Sequence, residues 1–359
     1  MEGTDYQIML QYREKARFHF KDAIEHLNED SKYKSEISLA QKEIDNAIHV
    51  FEEFNTEDNP LMLIIGGIAD IDKLYGLAAE IYSHIDIKKS INYYKLFQYY
   101  TFRRLFITEL DTRNEKFDYN DKRDEGVIAY KFRSCSSYCF DDLAKKKITL
   151  SKPNCMNDPF DSLYNIWSRP DNLSNFVKDI KSIPMFHKSF DYYRFCSFCI
   201  DDDAENSILR NILMWSHYAD EHKGICIRYR LYDDCVSSKL SLDVHHQTAL
   251  HRIHYNMDDK QISVKDKSIT IGLALTHKAS CWDYEKESRL ICYDDTTEKD
   301  HLKILYKKGI SIESVYFGIN CSDDNKAIIK RLLGDKKVDY YNMKCNYEDV
   351  YKMDIDPEI

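Results

Sequence analysis

Met214-Trp215-Ser216-His217-Tyr218-Ala219-Asp220-Glu221-His222-Lys223-Gly224 runs directly into Ile225-Cys226-Ile227-Arg228-Tyr229-Arg230-Leu231. The second half alternates. Ile225, Ile227, Tyr229 and Leu231 fall on one face and Arg228 and Arg230 on the other, the period of a half-buried strand. The first half sets an indole, an imidazole and a phenol within four residues, and the spacing predicts a short helix that Gly224 ends by taking φ > 0. A polar cluster delivered to the mouth of a sheet by a helix is a place where binding sites are built, so the chain is read outward from here.

Alternation of this kind recurs on both sides. Upstream, Ile128, Tyr130 and Phe132 alternate with Ala129, Lys131 and Arg133, a strand carrying two cations on one face. A short helix over Phe140 to Lys146, a strand at Ile148-Thr149-Leu150 and a strand from Tyr193 to Ile200 follow. Ser151-Lys152-Pro153-Asn154-Cys155-Met156-Asn157-Asp158-Pro159-Phe160-Asp161 reads as turns. Downstream, Ser314 to Gly318 is a strand, Asp323 or Asp324 caps a helix that runs to Leu333 and stops at Gly334, and Val338 to Cys345 is a further strand. Strands interleaved with short helices predict one α+β domain over residues 127–359 with a central, mainly antiparallel sheet.

The texture before residue 110 is different. Ala16, Phe20, Ala23 and Ile24 recur at helical spacing, as do Ile44, Ala47, Ile48 and Phe51, and later Leu74, Leu77, Ala78, Ile81 and Tyr82. Residues 1–109 are therefore predicted to be an all-helical module that docks a protein partner. The piece from Tyr75 to Tyr94, with Ala79 and Tyr82 on one helix and Ser90 and Tyr94 on the next, is similar to one tetratricopeptide helix pair, against which stands an ordinary helical bundle. The almost wholly polar run 110–126 is predicted to be the linker.

Composition narrows the function. The chain has 359 residues, 43% apolar and 31% charged, which describes a globular protein with room for a real core. Only 10 Gly and 6 Pro argue for regular elements, and no glycine-rich phosphate loop is present. A net charge of −10 opposes bulk attraction to a phosphate backbone, so nucleic acid as substrate would need a local basic patch. The one triple-lysine run, Lys145-Lys146-Lys147, reads as a solvated helix end. No apolar run reaches the roughly 18 residues of a membrane helix, and the start Met-Glu-Gly-Thr-Asp is no signal peptide. Eleven irregularly spaced cysteines then read as reduced thiols of a cytoplasmic protein.

Metal and triad chemistry are poorly served. Cys196-Ser197-Phe198-Cys199 is a lone C-x-x-C whose sulfurs alternation sends to opposite faces, and the pairs His217/His222 and His251/His254 lack the Glu of an H-E-x-x-H helix. No metal is expected. No G-x-S-x-G elbow supports Ser216 as a nucleophile. The remaining candidate is Glu285-Lys286-Glu287-Ser288-Arg289. As a strand it projects Glu285, Glu287 and Arg289 from one face, a pair of carboxylates suited to steadying a developing cation and taking a proton from a nucleophile. As a helix it makes only an i,i+4 salt bridge between Glu285 and Arg289.

Tyr130-Lys131-Phe132-Arg133, Ser151-Lys152-Pro153, Asn157-Asp158-Pro159-Phe160-Asp161, Cys196-Ser197-Phe198, Met214 to Asp220, His222 to Cys226, and Lys278 before Trp282 to Arg289 together resemble an uncharacterised prokaryotic family, domain of unknown function 2971, over about residues 127–350. Membership implies that these separated motifs share one cleft. Their order is also similar to the layout of ADP-ribosyltransferases: a basic first strand, a Ser- or Tyr-bearing middle motif and a late Glu-x-Glu. That analogy implies an NAD-using effector enzyme acting on a macromolecule, as a toxin or in phage defence. Lys131 or Arg133 would then meet the phosphates or ribose of NAD, and Ser216 or Tyr218 the nicotinamide. Glu287 would hold the ribose and Glu285 activate the acceptor, with His217 and Tyr218 completing the catalytic set. Asn157, Asp158, Ser197, Trp282 and Arg289 complete the expected nucleotide-binding wall. The motifs depart from the analogy in Ser-His-Tyr at the middle position and in the Asn-Asp-Pro-Phe-Asp turn. Two alternatives stand beside it: a non-enzymatic interaction or ligand-sensing module, and a nuclease holding Mg²⁺ on Asp158, Asp161, Glu285 and Glu287.

Overall fold

A computed structural model describes residues 3–54, 68–102, 126–156, 161, 190–200, 208–232, 246–255, 275–296, 299–306, 309–334, 337–349 and 351–357. Of the linker expected at 110–126, residues 110–125 lie outside the described residues, as do Asn157 and Asp158. The chain divides into two compact units, Met1–Thr112 and Arg113–Ile359.

The first unit is helical, with α1 (Gly3–Glu25), α2 (Asp30–Phe54), α3 (Ile68–Ser83) and α4 (Ile87–Phe102). Small buried residues, Ala16 and Ala23 on α1 and Ala40 and Ala47 on α2, allow two long helices to pack closely. Asp86 starts α4 by accepting from the backbone N–H of Lys88 at 2.9 Å. The tetratricopeptide-like span falls on α3 and α4, where the Ser90 hydroxyl donates to the Ala79 carbonyl at 2.7 Å. Tyr82, 1% exposed, donates to Asp45 of α2 at 2.7 Å, which gives a buried phenol its partner.

The second unit is built on a ten-stranded sheet, antiparallel in every pairing but one, with short helices between strands. The strands are β1 (Val127–Arg133), β2 (Lys147–Ser151), β3 (Tyr193–Cys199), β4 (Ile225–Leu231), β5 (His246–Arg252), β6 (Glu287–Asp294), β7 (His301–Leu305), β8 (Ile310–Phe317), β9 (Asp339–Cys345) and β10 (Met353–Pro357). The helices are α5 (Ser137–Lys145), α6 (Ile212–Tyr218) and α7 (Asp323–Leu333). Alternation sorts the core onto two faces. Ile225, Ile227, Tyr229 and Leu231 of β4 pack with Cys139 and Leu143 of α5 and Ile329 and Leu333 of α7. Cys226 of the same strand packs with Phe132, Met214 and Trp215 on the other face. Cys196 and Cys199 divide between the two faces, as their spacing requires.

Three local expectations change. Gly224 does not take positive φ; Asp220, Glu221 and His222 do, at 49°, 53° and 66°. Gly224 is needed for space instead, because a Cβ there would stand 2.2 Å from the Arg133 carbonyl oxygen. The cap of α7 is Ser322, which accepts from the Asn325 N–H, so Asp323 and Asp324 occupy the first turn, where the helix dipole favours them. The chain at 280–289 is neither a plain strand nor a helix: a 3₁₀ turn, Ser280–Glu285, ends at Lys286 with φ 45° and enters β6 at Glu287.

The sheet branches at β3. One edge pairs with β6 through seven residues, Tyr193 to Cys199. The opposite edge is shared: Cys199 registers with Tyr130 of β1 and Phe195 with Ser151 of β2. β1 stays with β4 over its whole length but registers with β3 at one pair, and the sheet parts there.

Candidate functional site

The parting of β1 from β3 opens a cleft, and helix α6 and the 3₁₀ turn close its sides. Tyr130, Phe132, Phe198 and Met214 give it apolar walls, and Lys131, Ser197, Tyr218, Lys278, Glu285 and Glu287 its polar groups. The segment 214–224 supplies Met214 and Tyr218 to one wall. Trp215, fully buried and bonded through its indole N–H to the Leu209 carbonyl at 2.7 Å, anchors α6, and Tyr218 at the end of that helix reaches the cleft.

The floor is a network of buried charge. On β6, Glu287 and Arg289 are two apart and so share a face. The left-handed turn at Lys286 brings Glu285 round to the same place. Lys278 joins them: its ammonium lies 2.6 Å from Glu285 Oε2, 2.8 Å from Glu287 Oε2 and 3.7 Å from Asp161 Oδ2. Arg289, with no exposed surface, donates from Nε to Glu287 Oε1 at 2.7 Å, from Nη2 to Asp161 Oδ1 at 2.5 Å and from Nη1 to the Leu275 carbonyl at 3.0 Å. Its guanidinium stacks 4.2 Å from the centre of the Phe195 ring. The Tyr218 hydroxyl donates to Glu285 Oε1.

These surroundings push the two glutamates apart. Burial raises the Glu285 carboxyl above its ordinary range; Lys278 works against this and the Glu287 charge adds to it. Burial acts the same way on Glu287, but Arg289 and Lys278 outweigh it and hold that carboxyl well below the ordinary range. The Lys278 ammonium loses some proton affinity to burial and regains more from Glu287, Asp161 and Glu285, so it stays charged. Burial and the bond to Glu285 raise the Tyr218 phenol. One carboxyl is thus raised beside one held low, with the two sharing Lys278.

The other expected residues sort themselves around this floor. Lys131 reaches across the parting of the sheet and donates to the Ser197 carbonyl at 2.9 Å. No carboxylate partner for Lys131 is found among the described residues. Arg133, two residues on, bonds Asp142 of α5 at 3.0 Å and is absent from the cleft lining, because the helix following β1 offers it a buried carboxylate first. Ser216 is exposed and bonds the His222 ring at 3.1 Å, which keeps it out of the cleft. His217 is also exposed; its Nδ1 lies 2.9 Å from the Tyr284 hydroxyl, and its ring meets Trp282 edge-on, so it belongs to the rim. Trp282 lines the cleft with Lys278 5.5 Å from its ring centre.

Sequence reasoning left out Lys278 as a site residue, along with Tyr255, whose hydroxyl accepts from the Glu287 backbone N–H at 2.7 Å. The only signal for Lys278 was its place in the motif ahead of Trp282. The acidic residues considered for Mg²⁺ do converge in part, but Asp161, Glu285 and Glu287 face Lys278 and Arg289, so the cations they surround are the protein's own. Among the described residues no cluster of His, Cys, Asp and Glu is arranged to hold a metal ion.

Residues 214–290 match the model of a family described as a protein of unknown function, DUF2971. That span is narrower than the one expected from the motifs, and it contains Tyr218, Lys278, Trp282, Glu285, Glu287 and Arg289. No curated protein and no solved structure is similar to the chain.

Proposed function

We propose that the unit Arg113–Ile359 is an enzyme of ADP-ribosyltransferase-like type that breaks the N-glycosidic bond of NAD or a related nucleotide and transfers the product to a macromolecule. The observation that carries the reading is the cleft floor, where Glu285 and Glu287 meet under opposite electrostatic pressure. Cleavage of that bond builds positive charge on the ribose, which an ionised carboxylate at Glu287 would stabilise at short range. The acceptor must lose a proton, and Glu285, backed by Tyr218, is the group to take it. Lys131, a cation facing the cleft without a carboxylate partner among the described residues, suits an anionic group such as a phosphate. Trp282 and Phe132 offer apolar surface for a planar ring.

The proposal extends to a cytoplasmic, prokaryotic setting and a role as toxin or in phage defence, with the helices of the first unit taking up a protein partner. What supports this extension is the pairing of a helical unit with a separate cleft-bearing unit.

A second reading, a ligand-sensing module without turnover, draws on the depth of the Arg289–Glu287–Asp161 group, which is buried like a structural network. Incubation of the full chain with NAD labelled on the adenylate separates the two. Turnover or transfer that Glu287→Ala abolishes supports the enzyme; saturable binding without any product supports the sensor.

A further inference from the structure

Three carboxylates, Asp161, Glu285 and Glu287, converge on one ammonium, but they do not share it equally. Glu287 has both oxygens committed to fixed cations: Oε1 takes Arg289 Nε at 2.7 Å, and Oε2 takes Lys278 at 2.8 Å with Arg289 Nη2 at 3.5 Å. Asp161 Oδ1 takes Arg289 Nη2 at 2.5 Å. Among the described contacts Glu285 has no guanidinium. Its Oε2 takes Lys278 at 2.6 Å, and its Oε1 takes only the neutral Tyr218 hydroxyl, from the side of the cleft. A neutral donor is displaced by a ligand or a proton far more readily than an ion pair that is fully desolvated.

We propose that Lys278 is the positioning residue of the cleft: by drawing Asp161, Glu285 and Glu287 onto one ammonium, it leaves Glu285 as the carboxyl that exchanges a proton with whatever the cleft holds. Lys278 is neither nucleophile nor base in this arrangement, since the surrounding carboxylates keep it protonated. The groups facing Glu285 are Lys278 ahead of the 3₁₀ turn, Tyr218 from α6, Tyr284 beside it in the chain, Glu287 from β6, Cys199 from β3 and Tyr255 beyond β5, with Asp161 and Arg289 acting on it through their shared contacts. Taking away the ammonium leaves three carboxylates to one guanidinium. Proton uptake then spreads from Glu285 to its neighbours, because like charges at this separation cannot all persist.

The test is a pH titration of the full chain with ¹³C at the glutamate carboxyl carbons, followed by NMR. The wild-type protein is expected to show one carboxyl titrating above the ordinary glutamate range. That signal disappears in Glu285→Gln, while the Glu287 signal stays ionised throughout. In Lys278→Met the Glu285 midpoint should rise by about one pH unit or more, and Glu287 should begin to titrate. Tyr218→Phe, which removes a donor but no charge, should move the midpoint by less. An unchanged Glu285 midpoint in a Lys278→Met chain with native near-ultraviolet circular dichroism overturns the proposal. Should Lys278→Met not fold, two glutamates titrating together in the wild-type protein overturn it as well. NAD takes no part in the titration, so a chain that turns over no NAD passes or fails on its own account.

Discussion

The Tyr218 hydroxyl donates to the Glu285 carboxylate, and so ties the last residue of α6 to the turn before β6 across 67 positions of sequence. The helix that carries Trp215 in the core thereby sets the donor that faces the Glu285 carboxyl.

Replacing Tyr218 by Phe removes that donor and keeps the ring. The folded state should lose about 1 kcal/mol, the net worth of a hydrogen bond to a partly buried group, measured by urea denaturation. The bond favours the ionised form of Glu285, so its loss raises that carboxyl further and moves the acid limb of any pH–rate profile to higher pH. An unshifted limb contradicts the role given to Tyr218.

Arg289→Met strands two buried carboxylates, Glu287 and Asp161. The expected loss is about 3–5 kcal/mol, the cost of breaking a buried ion pair on one side only. Denaturant titration at neutral pH reads it, and part of the loss should return as the pH is lowered and the stranded carboxylates take up protons.

The two glutamates give stability opposite pH dependence. Glu287 is depressed in the folded state, so its contribution is present above its unfolded value of about 4.3 and fades as the pH falls towards the folded one. Glu285 is raised, so the folded state binds its proton more tightly and stability declines as the pH rises from about 4.3 through the raised value. Thermal melts of Glu285→Gln should lack that decline. A wild-type curve and a Glu285→Gln curve of identical slope above pH 5 argue against the assignment.

Gly224→Ala places a methyl 2.2 Å from the Arg133 carbonyl oxygen and 2.8 Å from that of Ala219. Backbone on both sides leaves no flexible group to give way, and the expected cost is about 1–3 kcal/mol or more. A near-neutral melting temperature would show that the turn after α6 relaxes freely.

Strands with clean alternation were legible. Ile225, Ile227, Tyr229 and Leu231 join one core as their alternation predicts, but the faces that carry the basic residues are buried in part as well, Cys226 on β4 and Val127 and Ala129 on β1. His246 to Arg252 was not legible as a strand, because His, Gln, Thr and Arg surround its two buried apolar residues, Ala249 and Leu250. The pairing of Glu285 with Glu287 was legible as a spacing, but not the φ of 45° at Lys286 that turns the first of them inward, since nothing about a lone lysine announces a left-handed turn. Lys278 was hidden for a related reason. A lysine reads as solvated until its partners are known, and one of them, Asp161, arrives from more than a hundred residues upstream. Arg133 looked equivalent to Lys131 in sequence and parted from it only because Asp142 lies within reach at 3.0 Å.

The most direct test of the central claim is nicotinamide release from NAD by the purified full chain, measured beside Glu285→Gln and Glu287→Gln with folding verified by circular dichroism. The account predicts measurable release by the wild-type chain and a fall of about a hundredfold or more in each variant. A folded wild-type chain that neither binds NAD nor releases nicotinamide, or variants that release it at the wild-type rate, would contradict it.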